Sequence, residues 1–412
     1  MVRLAGLAVA LLAAMWYRRP DQFLHPYIWV EDGTRNLPDY IAHGWAFVVE
    51  PIVGYISLPI RVLFGIGASL SFRWLPEIGF VLALLFSYLV LVAVALSPTA
   101  LRYPFLCALA LLLLPTNPEV YGVSLYTGWW GSVLVLLPLL WPAASDGQLR
   151  LRAALLTAGG LSTPLVVGLL PLYGARWALW RRRTDWRLLL IGGGISALQL
   201  ATMWATAASM GGRVASRPLV NVPMKFFGYY LLWTPLRPDQ RLYLTLGVVL
   251  IGVLVTSAFV RRKTLDFTFV ALVGALAVTI TLAAVRAPLD VMHPVLAGGR
   301  YFFLPYLLLS WLLLDLIDWR HQGTSVFCAS ALVLALGGFV MHARWRHAAI
   351  DWRAHIEQCV AENVHQFPIH YEGTQAHRII WAVDVPGEAC RQMVARSLFD
   401  NHLVGVPGPR EP

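Results

Sequence analysis

Pro51-Ile52-Val53-Gly54-Tyr55-Ile56-Ser57-Leu58-Pro59-Ile60-Arg61 opens a stretch, running to Phe72, that is apolar enough to cross a bilayer yet carries Gly54, Pro59 and Arg61 in its first half. Whether it crosses decides the topology, because each crossing reverses the side of every later loop. If 51–72 stays outside as a juxtamembrane segment, the inner loops hold Arg102, then Arg150 and Arg152, then Arg181, Arg182, Arg183 and Arg187, then Arg261, Arg262 and Lys263, then Arg320. That pattern matches the inner-side excess of Lys and Arg in membrane proteins. If the stretch crosses, the later loops swap sides and the match fails, so it is read as juxtamembrane.

The composition agrees with this frame. Hydrophobic residues make up 58% of the 412, charged residues only 13%, too few for a soluble surface of this size. Mean hydropathy is +0.64. A net charge of +10 would suggest nucleic acid in a soluble chain, but here the arginines lie in short loops where they fix orientation. Nucleic acid is not implied. Apolar runs near the ~20 residues that a helix needs to cross a bilayer occur at about 77–97, 128–143, 187–209, 242–260, 265–285, 301–317 and 324–342. Shorter runs lie at 4–17, 103–115, 152–160 and 164–180, the last two separated by Gly159-Gly160-Leu161-Ser162-Thr163-Pro164. Such a break is tolerated only inside protein or beside a cavity, so it reads as a tight turn between two incomplete spans. Met1 to Met15 could be a signal peptide, but Trp16-Tyr17-Arg18-Arg19-Pro20 replaces the small residues of a cleavage site, which favours an uncleaved first span.

The expected fold is an all-α polytopic membrane protein with about 11 transmembrane helices, a cytoplasmic N-terminus and an outer C-terminus. Residues 1–342 form the transmembrane domain, with 18–76 as first outer loop, and 343–412 form a small C-terminal domain on the same face. Segments 116–127, 210–241 and 286–300 join them there. The tail cysteines Cys359 and Cys390 lie in an oxidising compartment and are expected to pair, the alternative being two unpaired buried thiols; Cys107 and Cys328 fall in spans. No internal repeat, Gly-rich phosphate loop, zinc-ligand spacing or low-complexity tract is found.

The outer face carries Glu31, Asp32, Asp39, Glu50, Glu119, Asp239 and Asp290. A single interfacial carboxylate is most simply a solvated one. Adjacent Glu31 and Asp32, framed by Tyr27, Ile28, Trp29 and Val30, are different, because like charges in a partly desolvated site raise one another's pKa and so tune a general base. Oxygen ligands such as Asp32 and Glu119 could also hold a divalent cation, magnesium or manganese. Glu119 follows two prolines that end a short span, so it faces the same side as Asp32. The complementary cations are Arg213, Arg217, Lys225 and Arg300, the last followed by Tyr301. Arginine's planar fork suits phosphate oxygens, and outer arginines oppose the inside bias; lipid headgroups are the plainer partner. His43, His293, His355, His365, His370 and His377 show no metal-ligand spacing and read as structural or solvated.

One span followed by an outer loop with an acidic pair resembles the GT-C class of integral membrane glycosyltransferases. Glu31-Asp32-Gly33 and then Gly54-Tyr55-Ile56-Ser57-Leu58-Pro59-Ile60-Arg61 look like the class's first outer loop, which carries the catalytic acid and continues through juxtamembrane helices. Gly160-Leu161-Ser162-Thr163-Pro164 looks like its short paired helices, and Arg300-Tyr301-Phe302-Phe303-Leu304-Pro305 like the arginine-tyrosine start of a late span. The resemblance covers residues 1–345 in layout. Two departures are a small tail where many members carry a large soluble domain, and Glu-Asp-Gly in place of commoner acidic patterns.

The resemblance implies an inverting glycosyltransferase that takes a sugar from a polyprenyl-phosphate donor and gives it to a glycan, glycolipid or other acceptor. It would sit in a bacterial inner membrane with a periplasmic active face. Asp32 would be the general base, Glu31 or Glu119 would orient the acceptor or bind a metal, and Arg213, Arg217, Lys225, Arg300 and Tyr301 would hold the donor phosphate. Three alternatives stay open: an O-antigen-type polymerase or ligase, a transporter of lipid-linked glycans, and a non-catalytic relative. Intramembrane charge, which a transporter needs, is scarce, Asp315 being the clearest case. The sugar, acceptor and oligomeric state are not legible.

Overall fold

The computed structural model describes residues 2–142, 148–206, 221–232, 239–260, 266–347, 349–370 and 380–400. α1 (Val2–Arg18) leads through α2 (Pro20–Leu24) and a π-helical turn at Asp32–Asn36 to α3 (Leu37–His43), a 3₁₀ segment at Gly44–Val49 and α4 (Leu58–Leu70). There follow α5 (Leu75–Leu96), α6 (Pro104–Ala110), α7 (Thr127–Leu139), α8 (Leu149–Gly160), α9 (Leu165–Trp180) and α10 (Arg183–Thr206). A second π-helical turn at Pro223–Gly228 runs into α11 (Tyr229–Leu231), then α12 (Gln240–Val260), α13 (Phe267–Arg286), α14 (Arg300–Leu316) and α15 (Gln322–His342). The tail adds α16 (Trp352–Ala361), an antiparallel pair β1 (Val364–His370) and β2 (Ile380–Pro386), and α17 (Gly387–Arg396).

Each apolar run read from the sequence contains a helix, and five helices among the described residues, α5, α10, α12, α13 and α15, are long and apolar enough to cross a membrane. The molecule is thus an all-α chain of multi-pass membrane character. The other runs fold shorter: α6 has 7 residues and α8 has 12, below the ~20 of a complete crossing. Their count of crossings is therefore not set by helix length. The stretch 51–72 contributes the 13-residue α4, the same length as α7, so length alone does not distinguish it from the other short helices.

α7 is the centre of the bundle. Its residues are apolar all round and nearly all buried, the pattern of a helix with no solvent or lipid face. Small residues let neighbours come close: a Cβ on Gly159 would stand 2.5 Å from the Val135 amide nitrogen, and one on Gly131 2.2 Å from Ser162 Oγ. The turn after α8 is consequently wedged inside protein. Its carbonyls find donors there, Leu161 O from Leu58 N at 2.8 Å, Ser162 O from Ser57 Oγ at 2.7 Å and Gly160 O from Gln199 Nε2 at 2.9 Å. Buried arginines do the same at other helix ends. Arg18 donates to the carbonyls of Leu112, Leu114 and Thr116, where prolines stop α6 from continuing, and lies 3.9 Å over the Tyr121 ring. Arg176 donates to Leu139 O and Trp141 O at the end of α7, and with Arg152 shares Asp185 at 2.8 and 2.9 Å.

The tail does not form a core of its own. Trp352, Ile356, Cys359, Phe367, Val385, Cys390 and Met393 share one apolar cluster with Ile28, Leu37, Phe47, Phe64 and Phe72 of the segment between α2 and α5, and Cys359 is disulfide-bonded to Cys390. The expected division at residue 343 is therefore a boundary in sequence, crossed by packing. Asp400, fully buried, clamps the seam: its carboxylate accepts from Ser71 Oγ at 2.5 Å, Phe72 N at 2.7 Å and Arg73 N at 3.2 Å, the unsatisfied donors just ahead of α5. Asp400→Ala is expected to lower stability by about 2–3 kcal/mol through those stranded donors and to speed proteolysis within 343–400; an unchanged cleavage rate would refute the clamp.

Candidate functional site

The segment after α2 runs inward, with Tyr27, Ile28, Trp29 and Val30 buried and Trp29 edge-on to Tyr126 at 5.2 Å. The chain then enters the π-helical turn, a conformation frequent at functional positions. Consecutive helical residues diverge by about 100° around the axis, so the two adjacent acids part company. Asp32 points into the protein with no exposed surface, where Oδ1 accepts from Asn36 Nδ2 at 2.7 Å and Oδ2 from Ser124 Oγ at 2.8 Å. Asn36 Oδ1 in turn accepts from Arg61 at 2.9 Å, and Arg61 also pairs with Asp39 at 2.7 Å. Glu31 instead lines a cavity of about 290 Å³, and its Oε2 is buried with no hydrogen-bond partner among the described residues.

That cavity has two characters. Leu165 of α9, Met203 of α10, Leu282 and Ala283 of α13 and Leu304 of α14 give an apolar wall between helices. Its polar end gathers Glu31, Tyr55, Tyr126, Arg286, Arg300 and Tyr301. Arg300, first residue of α14, donates from its side chain to Glu119 Oε1 and to Tyr126 Oη, each at 2.9 Å, and from its backbone N–H to Glu119 Oε2 at 3.1 Å, while lying 4.0 Å from Glu31. Glu119 also accepts from Tyr126 Oη at 2.8 Å, so it partly neutralises Arg300. Arg286, last residue of α13, reaches across to the Val53 carbonyl at 2.9 Å. Val53 sits at φ +51° ahead of Gly54 at +87°, a two-residue turn closed by Ile52 and Tyr55, and a β-branched side chain in that region marks local strain.

Two amide side chains and one ammonium hold this end in place. Gln199, buried in α10, accepts from Ile56 N at 3.1 Å and donates to Ile56 O at 3.0 Å and Gly160 O, tying the 52–58 strap to the turn after α8. Asn117 leaves room for nothing larger than glycine at 299, where a Cβ would fall 2.0 Å from its Oδ1; that oxygen accepts from Glu119 N at 3.2 Å and its Nδ2 donates to Val295 O. Lys225 donates to the carbonyls of Leu289, Asp290 and Met292. The loop between Arg286 and Arg300 is thereby fixed. Burial, with Lys225 nearby, drives His293 down to about 3, and its neutral Nδ1 accepts from Val295 N and Leu296 N within that loop.

The expected site residues thus separate. Glu31, Arg300 and Tyr301 line the cavity, with Glu119 immediately behind Arg300. Asp32, expected as the base, is sealed from it, and Lys225, expected on a donor phosphate, has its ammonium on backbone carbonyls. Arg213 and Arg217 lie outside the described residues. Asp32 and Glu119 do not fit a shared cation: the first is taken by Asn36 and Ser124, the second by a guanidinium and a phenol. Among the described residues no three His, Cys, Asp or Glu side chains come together as a metal site. Sequence reasoning missed Arg286 and Gln199. An arginine ending an apolar run was the available signal for the first, a lone amide inside an apolar run for the second.

Burial pushes the Asp32 carboxyl up to about 6, partly offset by its two hydrogen bonds. The folded chain therefore holds a proton that the unfolded chain releases near pH 4, so this group opposes folding above pH 6 and the opposition, up to about 3 kcal/mol, fades as pH falls toward 4. Asp32→Asn can keep both contacts without the charge, its Oδ1 accepting from Asn36 and its Nδ2 donating to Ser124 Oγ. The melting temperature of Asp32→Asn minus that of the native chain should be greater at pH 7 than at pH 5; a pH-independent difference would rule out this titration.

No family model, curated protein or solved structure matches the chain.

Proposed function

We propose that the chain is a GT-C-like membrane glycosyltransferase that moves a sugar from a polyprenyl-phosphate donor to a glycan, glycolipid or other acceptor at the outer, periplasmic face of a bacterial inner membrane. The observation that carries this reading is the two-character cavity: an apolar wall between helices, suited to an isoprenoid chain, ending at an acid and two arginines. An amphiphile with an anionic head is the ligand such a site suits. The topology of about 11 crossings with the N-terminus inside belongs to the same proposal.

In this reading Glu31 replaces Asp32 as the base. An acceptor hydroxyl loses its proton to Glu31 as its oxygen attacks the anomeric carbon from the face opposite the phosphate. The carbon–oxygen bond to phosphate breaks, the electron pair leaves on the phosphate oxygen, and the anomeric configuration inverts. Arg286, with Arg300, meets the charge that develops there. Glu119 and Tyr126 hold Arg300 in position, and Asp32, through Asn36 and Arg61, fixes the turn that presents Glu31. The pair of arginines also suits a polymerase or ligase acting on lipid-linked glycans, a chemistry distinguished by its product.

The test is the mass of the cell-surface glycan or glycolipid in cells with the intact gene, the deletion, Glu31→Gln, Asp32→Asn and Arg286→Ala, at matched protein level. Deletion should remove the mass of one sugar. Glu31→Gln should reproduce that loss, with transfer down about 10²–10⁴-fold, Arg286→Ala should reduce it about 10–100-fold, and Asp32→Asn should keep most of it. Loss of polymer length would favour the polymerase, and normal transfer by Glu31→Gln would remove Glu31 from the chemistry.

A further inference from the structure

The tail presents two large apolar side chains to its surroundings at one place. Leu398 is 58% exposed and Phe399 56%, in a segment that is otherwise pinned. On one side, buried Ser397 donates to Met393 O at 2.7 Å and accepts from Phe72 N at 3.2 Å; on the other, Asp400 makes its buried clamp. Between them the backbone N–H groups of Leu398 and Phe399 donate to Ser69 O and Leu70 O at 2.9 Å, the carbonyls that α4 leaves unsatisfied at its C-terminus. Both side chains are thus held outward by a rigid frame, an arrangement that is unfavourable if they face only water.

Their height is fixed by the same bonds. Ser71, Phe72, Arg73 and Trp74 lead directly into α5, one of the helices long and apolar enough to cross a membrane, so its first turn marks the bilayer boundary. Trp74 is itself 41% exposed, as aromatic side chains at that boundary commonly are, and the Arg353 guanidinium of α16 lies 4.2 Å over its ring, on the tail side of the seam. Two apolar tips and a cation at the level of the headgroups match a lipid surface.

We propose that Leu398 and Phe399 enter the outer leaflet and, with Arg353 at the headgroups, dock the tail onto the bilayer. Because the tail shares its core with the segment that follows Glu31, the membrane then supports that segment through the tail. This rests on α5 crossing the membrane and not on the chemistry at Glu31.

The test uses the full chain, spin-labelled at Leu398→Cys or Phe399→Cys and reconstituted in vesicles of phosphatidylcholine with phosphatidylglycerol, with the unsubstituted protein measuring background from Cys107 and Cys328, both buried. Exposed Gln366→Cys on β1 is the aqueous reference. The oxygen-to-nickel-chelate accessibility ratio is expected to be several-fold higher at 398 and 399 than at 366. Equal ratios would overturn the proposal. So would dipolar broadening at 399 that vanishes on dilution with unlabelled protein, since a second copy would then cover the patch.

Discussion

A bundle that lies in lipid has no water to satisfy the broken ends of its helices, so each interruption needs a protein donor brought to it. This chain supplies those donors from side chains. Arg18 closes the carbonyls beyond α6, Arg176 those beyond α7, and Gln199 the turn between α8 and α9. Lys225 does the same for the loop after α13. The short helices are possible only because these polar groups are buried with them, and the cavity exists because short helices leave space beside the long ones.

The site follows from that arrangement. Gln199 and the Ser57–Ser162 contact hold residues 56–57 against the α8–α9 turn, which makes one wall. Lys225 and Asn117 set the loop that separates Arg286 from Arg300, which makes the facing wall. Glu31 completes the polar end from the position just before a π-helical turn whose first residue, Asp32, is consumed in holding the turn together. At this end Glu119 offsets Arg300, and Arg286 and Glu31 line the same cavity.

The tail belongs to this assembly through packing and through Asp400. Its aromatic residues fill the same core as Phe47, Phe64 and Phe72, so movement of the tail and movement of the loop bearing Glu31 are coupled by shared side chains. The Cys359–Cys390 disulfide holds α16 to α17 inside that core and keeps the coupled surface intact.

The sequence by itself determined the all-α, membrane-like class and a helix within each apolar run, and it singled out the Glu31–Asp32 region and Arg300 as candidates. Those features depend on composition, local periodicity and breaker residues, which act over a few turns. Only the tertiary structure decided which of two adjacent acids reaches the cavity, because a difference of one residue is a rotation about the helix axis whose meaning depends on what surrounds it. It likewise decided that Lys225 is a loop clamp and that Arg286 completes the polar end. A side chain's role is set by the groups within a few ångströms of it, and here those groups come from positions as far apart as Asp32 and Ser124, Glu119 and Arg300, or Ser71 and Asp400.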